Sequence, residues 1–503
     1  MANRKTNTMR LGVVQLENRE VPAILGNPQL LDGVLTVFCD NAPTTILVEQ
    51  RADGGLQVTD ISSGRAFAYA PGQVRRVDLF GGAGNDKFTT RGLGPVRVRM
   101  FGRGGNDFLL GGPGRDVIVG GAGNDVIHGR GGNDILLGGT GDDVIYGGDG
   151  NDILDGDVGN DRLIGGAGTD AISGGNGNDV IIALDGQTTD TVDGGNGSDV
   201  IWRDQNGTAT DALTGIDGFD TVHSVTGFAN GADRTLNGDP ISDPVLIPGT
   251  RYESFRGYPL FGENGPRVQD IAQGINPNTN APNLDDSWLL AALGSVANTN
   301  PDFLRTILAD FGDGTYGVAL GGNFYRVDAD LPTRPFGSLT PAYAQVRRET
   351  GIWVAIFEKA FTYIQSGLSP ASYASLNGTG GLTPAGTPGD VYQALGYTPN
   401  NIDLTTFPDT FVLAAFLKPL VDNNLPTAIV IGTPPTSSNL TPNTAYTLIG
   451  YNLNNLSIMQ SVILYNPVGF DGGGSLDIDP NDGFLTVSLA DLLGSTGTIY
   501  HGS

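Results

Sequence analysis

From Gly102 to Ile182 the apolar positions recur every nine residues. Nine consecutive units read GRGGNDFLL, GGPGRDVIV, GGAGNDVIH, GRGGNDILL, GGTGDDVIY, GGDGNDILD, GDVGNDRLI, GGAGTDAIS and GGNGNDVII, and the eighth place is always Leu or Ile. The pattern predicts a glycine turn followed by a very short strand with one inward apolar side chain. Such a unit cannot bury its apolar face alone, so neighbours must stack into a solenoid. A flexible Gly/Asp-rich linker would not hold an apolar residue at every ninth position.

Before this run, Val34–Phe38, Thr45–Glu49, Leu56–Thr59 and Val74–Leu79 alternate between apolar and polar and predict strands of a small β cap. After it the period decays. Gly194–Trp202 (GGNGSDVIW) and Gly215–His223 (GIDGFDTVH) are remnants, and Asp190 lies in a degenerate unit; Gly81–Thr89 (GGAGNDKFT) is an outlier on the other side. Past a Gly/Asp/Pro-rich stretch the pattern turns helical at Asp286–Asn298, Gly351–Ser366 and Thr410–Val421. Strands are predicted at Thr427–Gly432, Tyr446–Tyr451, Gln460–Tyr465 and Gly483–Ser488. The expected architecture is multidomain: an all-β parallel β-roll solenoid followed by an α+β domain. Its parts are an N-terminal segment 1–32, a cap 33–80, the roll 81–225, a linker 226–250 and a second domain 251–503.

No run of apolar residues is long enough to span a bilayer. Residues 1–10 are basic, but no apolar stretch follows, so no ordinary signal peptide is expected. Leu16–Ala23 (LENREVPA) resembles a short motif at the N-terminus of some exported bacterial surface proteins. With a formal charge of −26 over 503 residues, nucleic acid and anionic membrane surfaces are excluded as partners. The lone Cys39 excludes internal disulfides and reads as a structural thiol.

Much of the negative charge lies at the sixth place of the repeat, which is always Asp: Asp107, Asp116, Asp125, Asp134, Asp143, Asp152, Asp161, Asp170 and Asp179, with Asp86 and Asp199 in outlying units. Stacked along each edge at ~4.8 Å, these carboxylates would repel one another unless a hard, oxygen-seeking cation lay between turns, and calcium fits best. The run resembles the RTX calcium-binding β-roll, whose GGxGxDxUx motif it repeats nine times in register. With two units per turn, alternate units share an edge. Nine units then leave seven inter-turn sites, and about seven Ca2+ ions are expected in the core run, with a few more in outlying units. The resemblance implies an extracellular or cell-surface protein.

Residues 258–500 are similar to the calpain-like cysteine proteases, a papain-type fold. Among the matching stretches are Pro259–Gly262 (PLFG), Asp270–Gly274 (DIAQG), Asp286–Ala292 (DSWLLAA), Ile352–Phe361 (IWVAIFEKAF), Ala445–Leu448 (AYTL) and Leu464–Gly469 (LYNPVG). The family's mechanism implies a Cys nucleophile, a His base, an Asn that orients the imidazole, and a Gln at the oxyanion site. In this chain the nucleophile position holds Ser287 and the base position Thr444; Asn466 and Gln273 fill the other two, and Val468 stands where the family has Trp. Gln273 lies 14 positions before Ser287 rather than six, across an insertion containing Pro277 and Pro282. A threonine cannot accept a proton near neutral pH, and Asp285 adds negative charge beside Ser287. The domain is therefore expected to be catalytically silent and to bind an extended peptide or protein in the old cleft. An active calcium-dependent endopeptidase and a purely structural adhesin are the alternatives. His501 matches no family motif, and Asp477–Gly483 reads as a surface turn rather than a calcium loop.

Overall fold

The computed structural model describes residues 27–503 except 95, 187, 206–209, 233–240, 242, 245, 247–249, 262–264, 268–269, 272–286, 334–350, 366–375, 377–385, 437 and 468–482. A parallel β-solenoid of about eight turns runs over residues 76–225. The chain divides into two compact units, 1–179 with 190–199 and 213–216, and 180–189 with 200–212 and 217–503.

In the first unit two sheets are built from alternate repeats. The first sheet runs, neighbour to neighbour, through Gln29–Leu31, Val34–Phe38, Arg76–Phe80, Arg97–Gly104, Val117–Ala122, Ile135–Thr140, Ile153–Val158, Ala171–Asn176 and Thr191–Asn196. The second runs through Arg65–Tyr69, Leu56–Asp60, Thr45–Gln50, Lys87–Arg91, Phe108–Leu110, Val126–Gly131, Val144–Asp149 and Arg162–Ala167. Within the repeats, neighbours pair in parallel with an 18-residue register: Ile118 faces Leu136, which faces Leu154, and Ile127 faces Ile145, which faces Leu163. The eighth-place residues are the core of the roll. Leu109, Ile118, Ile127, Leu136, Ile145, Leu154, Leu163, Ile172 and Ile181 are all buried.

The N-terminal end is closed by antiparallel strands. Gln29–Leu31 covers the edge of the first sheet, and the hairpin of Leu56–Asp60 with Arg65–Tyr69 covers that of the second. This protects open backbone edges that would otherwise template further strands. Arg65–Tyr69 was not expected from its pattern, because its side chains lie mostly at the surface on both faces.

The second unit is mostly sheet with a few helices. A six-stranded antiparallel sheet orders Pro399–Asp403, Gly497–Gly502, Thr427–Ile431, Thr444–Leu453, Met459–Tyr465 and Phe484–Ser488. A smaller one joins Leu308–Asp310, Thr315–Leu320 and Asn323–Asp328. The helix Ser287–Thr299 (α1) is buried over most of its length, and Trp353–Gln365 (α2) packs into the same core through Trp353, Phe357 and Phe361. Thr410–Asp422 (α3) covers a second core with Leu413 and Leu417, and is capped by Asp409, whose carboxylate accepts the Val412 N–H at 2.9 Å. The three expected helices and four expected late strands lie within two residues of these positions, but the sheet strands Pro399–Asp403 and Gly497–Gly502 and the short helices Pro301–Ile307, Pro388–Ala394 and Leu489–Leu493 were not expected. The hairpin 315–328 was missed, since Thr315–Leu320 is buried on both faces and shows no alternation. Strands thus precede Trp353–Gln365 rather than coming only at the end of the chain. Most of the expected linker at 226–250 lies outside the described residues.

Candidate functional site

The turns at each edge of the roll bring the sixth-place aspartates into two ladders. On one edge the backbone N–H of each Asp donates to Oδ1 of the Asp one turn on. Asp107 donates to Asp125, Asp125 to Asp143 and Asp143 to Asp161 at 2.7 Å; Asp161 donates to Asp179 at 2.8 Å and Asp179 to Asp199 at 2.9 Å. Asp86 joins below, its N–H 2.6 Å from Asp107 Oδ1. On the other edge Asp116 donates to Asp134 at 2.7 Å, and Asp134 to Asp152, Asp152 to Asp170 and Asp170 to Asp190 at 2.8 Å. Every sequence-predicted aspartate is in one ladder or the other, and each is buried. Asp190, which the sequence places in a degenerate unit, completes the second edge. Its step is 20 residues instead of 18, which breaks the period while leaving the stacking intact.

One oxygen of each of these carboxylates is thus committed to the backbone. The other is turned inward: Oδ2 of Asp107, Asp125, Asp134, Asp143, Asp152, Asp161 and Asp179 is buried and accepts no hydrogen bond. Such atoms are costly unless compensated. What they face is shown by the first glycine of each unit. A Cβ on Gly129 would sit 2.5 Å from Asp134 Oδ2 and 2.6 Å from the Gly147 carbonyl oxygen, and one on Gly138 would meet Asp143 Oδ2 and sit 2.9 Å from the Gly156 carbonyl oxygen. Carboxylate and carbonyl oxygens from successive turns therefore converge on a space that any larger residue would fill. Oxygen-only donors, several of them carboxylates, fit a hard divalent cation.

Electrostatics agree. Burial pushes the carboxyls of Asp107, Asp134, Asp143 and Asp179 up to about 7, against backbone N–H donors that pull them down and neighbouring carboxylates that push further. Burial likewise raises Asp116, Asp125, Asp152 and Asp161 to about 6. A cation is the partner that would let them ionise in place.

In the second unit Ser287 opens α1 and is buried, its Oγ accepting the Ala445 N–H at 3.4 Å. Thr444, next to it in sequence, starts its strand and donates through Oγ1 to the Pro442 carbonyl at 3.3 Å. Asn466 is buried one residue beyond Tyr465, which faces Thr447 across the sheet, and the Thr447 hydroxyl donates to the Ala291 carbonyl on α1 at 2.8 Å. The start of α1 is thus held against the strand that carries Thr444. Gln273, Asp285, Asp286, Val468 and the 477–482 turn lie outside the described residues.

Among the described residues, neither Ser287 nor Thr444 hydrogen-bonds an imidazole. His501 faces Thr427 on the strand between its own and that of Thr444, while Thr444 faces Ile431 on that same strand. Four residues separate the two levels, ~13 Å along the sheet. His128 stacks on Tyr146 in the roll, and His223 Nε2 bonds the Thr306 carbonyl at 2.6 Å. Burial lowers all three histidines, His128 to about 4. Cys39 is buried and its thiol pushed up to about 12, which removes it as a nucleophile. A cavity of about 730 Å³ in the second unit is lined by Phe303, Phe324, Phe361 and Gln393 among others, and includes none of Ser287, Thr444 and Asn466. No described helix is long and apolar enough to cross a membrane.

The roll matches the model of the RTX calcium-binding nonapeptide repeat in four overlapping copies, at residues 101–136, 128–163, 155–189 and 184–202. No curated protein matches the chain. The solenoid is an RTX-type β-roll, and repeats of this kind bind calcium.

Proposed function

We propose that this chain is a secreted or cell-surface protein whose calcium-loaded roll (81–225) carries, after the linker 226–250, a calpain-like domain of papain type (251–503) that has lost its proteolytic chemistry. The observation that carries the calcium part is the double ladder of buried aspartates with inward-facing oxygens, in repeats that match a calcium-binding family. Asp107, Asp116, Asp125, Asp134, Asp143, Asp152, Asp161, Asp170 and Asp179 leave seven intervals in the core run, and Asp86, Asp190 and Asp199 extend the edges by one interval each. Ca2+ would supply the positive charge that holds successive turns together. The test is direct calcium counting on purified protein by equilibrium dialysis, with seven to ten tightly held ions expected. Fewer than four would refute the assignment.

The silence of the second domain is supported by the residues at the inherited positions. Ser287 takes a backbone N–H, Thr444 donates to a carbonyl, and neither has an imidazole beside it. A serine hydroxyl without a base is a poor nucleophile. The role left to the domain is recognition of an extended peptide or protein. Incubation with an unfolded peptide pool and millimolar calcium should yield no products. Turnover abolished by Ser287→Ala would make the domain a serine-dependent protease instead.

A further inference from the structure

The outer face of the first sheet is patterned end to end. Register places Phe38, Phe80, Phe101, Val119, Leu137, Asp155, Ser173 and Asp193 in one row across the strands. A second row holds Thr36, Asp78, Arg99, Val117, Ile135, Ile153, Ala171 and Thr191. The N-terminal end is aromatic and basic. Phe38, Phe80 and Phe101 stack with centroids 5.0 and 4.9 Å apart, with the guanidinium of Arg99 over Phe101 and that of Arg103 over Phe80. The strands Arg76–Phe80 and Arg97–Gly104 carry four basic residues, Arg76, Arg97, Arg99 and Arg103, against one acidic residue, the buried Asp78, which pairs with Arg76 at 2.8 Å and Arg99 at 3.9 Å. The middle of the face is aliphatic, with Ile153 48% exposed. The far end carries Asp155, Asp157 and Asp193.

We propose that this face binds the same face of a second copy, with the two solenoid axes antiparallel. A two-fold axis parallel to the strands, between Val117–Ala122 and Ile135–Thr140, lies at the centre of the eight strands from Val34–Phe38 to Thr191–Asn196. That operation lays Val117 over Ile135 and Val119 over Leu137. It brings Arg99, Phe101 and Arg103 over Ile153, Asp155 and Asp157, and puts Phe38 over Asp193. A two-fold along the solenoid axis would instead set arginine on arginine, so charge selects the antiparallel arrangement. Eight strands at ~4.8 Å, each ~20 Å long, offer roughly 800 Å² per copy, the size of a standard specific interface. A single chain leaves this aliphatic stripe in water between unlike charges, and a second copy satisfies both.

The experiment is sedimentation equilibrium of the full chain with saturating calcium, at low and high salt. Arg103 and Asp157 are suitable for charge exchange. Both occupy the same place in the repeat with positive φ (78° and 73°), and Arg130 holds that conformation too, so neither side chain is foreign to it. The unmodified chain should dimerise, more weakly as salt rises. Arg103→Asp and Asp157→Arg should each weaken dimerisation about tenfold or more, since each sets like charges together twice across the two-fold. An equimolar mixture of the two variants should recover the dimer, because both pairs are then opposite in sign. Leu137→Lys, an outward position, should leave the chain monomeric with an unchanged calcium-dependent circular dichroism spectrum. A monomer at all concentrations, a dimer indifferent to these changes, no recovery on mixing, or capture of an acidic polysaccharide in place of a second copy would each overturn the proposal.

Discussion

Withdrawing calcium should invert the pH dependence of the roll. In the metal-free protein, ionising a carboxyl held at about 7 rather than 3.8 costs about 4 kcal/mol in place, and one held at about 6 costs about 3 kcal/mol. Water entry and relaxation of neighbouring turns reduce these figures, roughly by half. Even one such group then costs about 2 kcal/mol, a sizeable part of the net stability of a typical domain, and eight of them line the two ladders. The folded values are raised, so the favourable contribution is complete below 3.8 and is lost as pH rises through 6 to 7. Calcium acts the other way, because it binds the ionised form and its affinity climbs over the same window. Calcium-free protein, prepared by exhaustive dialysis, should therefore show more β-structure by circular dichroism at pH 4.5 than at pH 7.5. Calcium-loaded protein should melt higher at pH 7.5. A metal-free roll that is as well ordered at pH 7.5 as at pH 4.5 would refute the reasoning.

Other outcomes follow from single contacts. Gly129→Ala should lower the calcium stoichiometry by at least one, because its Cβ would enter the space facing Asp134 Oδ2, whereas Gly218→Ala, with nothing within 4 Å, should not. Ile145→Ala, at a fully buried eighth place, should cost about 2–5 kcal/mol in calcium-dependent thermal unfolding. Residues 251–503 have apolar cores of their own, so the full chain should melt in two transitions in a calorimeter, only one of them shifted by chelator. Ser287→Cys and Thr444→His should each stay inactive on an unstructured peptide. The double variant could pair a thiolate with an imidazolium and should show turnover, held about 10²–10³-fold down if an oxyanion donor is missing.

The roll was readable because one constraint, stacking, acts on every unit, so each ninth residue carries the same message. Reading stopped where the constraint became spatial. Asp190 keeps its place in the ladder although its step is 20 residues, and a fixed period cannot register that. Helix spans in the second unit were within reach because apolar periodicity is local. Its buried ion pairs were not. Lys359 sits in an apolar helix pattern yet holds Asp328 Oδ1 at 2.5 Å, and Arg326 bonds Asp313 Oδ2 at 2.6 Å from the buried hairpin. The row of Phe38, Phe80 and Phe101 joins residues 42 and 21 positions apart, so it emerges only once strand register is known. At the positions that the proposed calpain-like reading makes catalytic, Ser287 and Thr444 in place of Cys and His were plain from residue identity alone.

The 18-residue register has a consequence for how such a chain changes length over generations. A duplication or deletion of 18 residues within the run removes or inserts one whole turn. Each remaining strand then still finds an equivalent neighbour, and the molecule grows or shrinks by ~4.8 Å. A change of nine residues transfers every later strand to the opposite sheet. That exchanges the outward rows, so arginines, aliphatics and aspartates beyond the break would appear on the wrong side. Inherited length variants of this roll should therefore come in multiples of 18, with nine-residue variants confined to its decaying end.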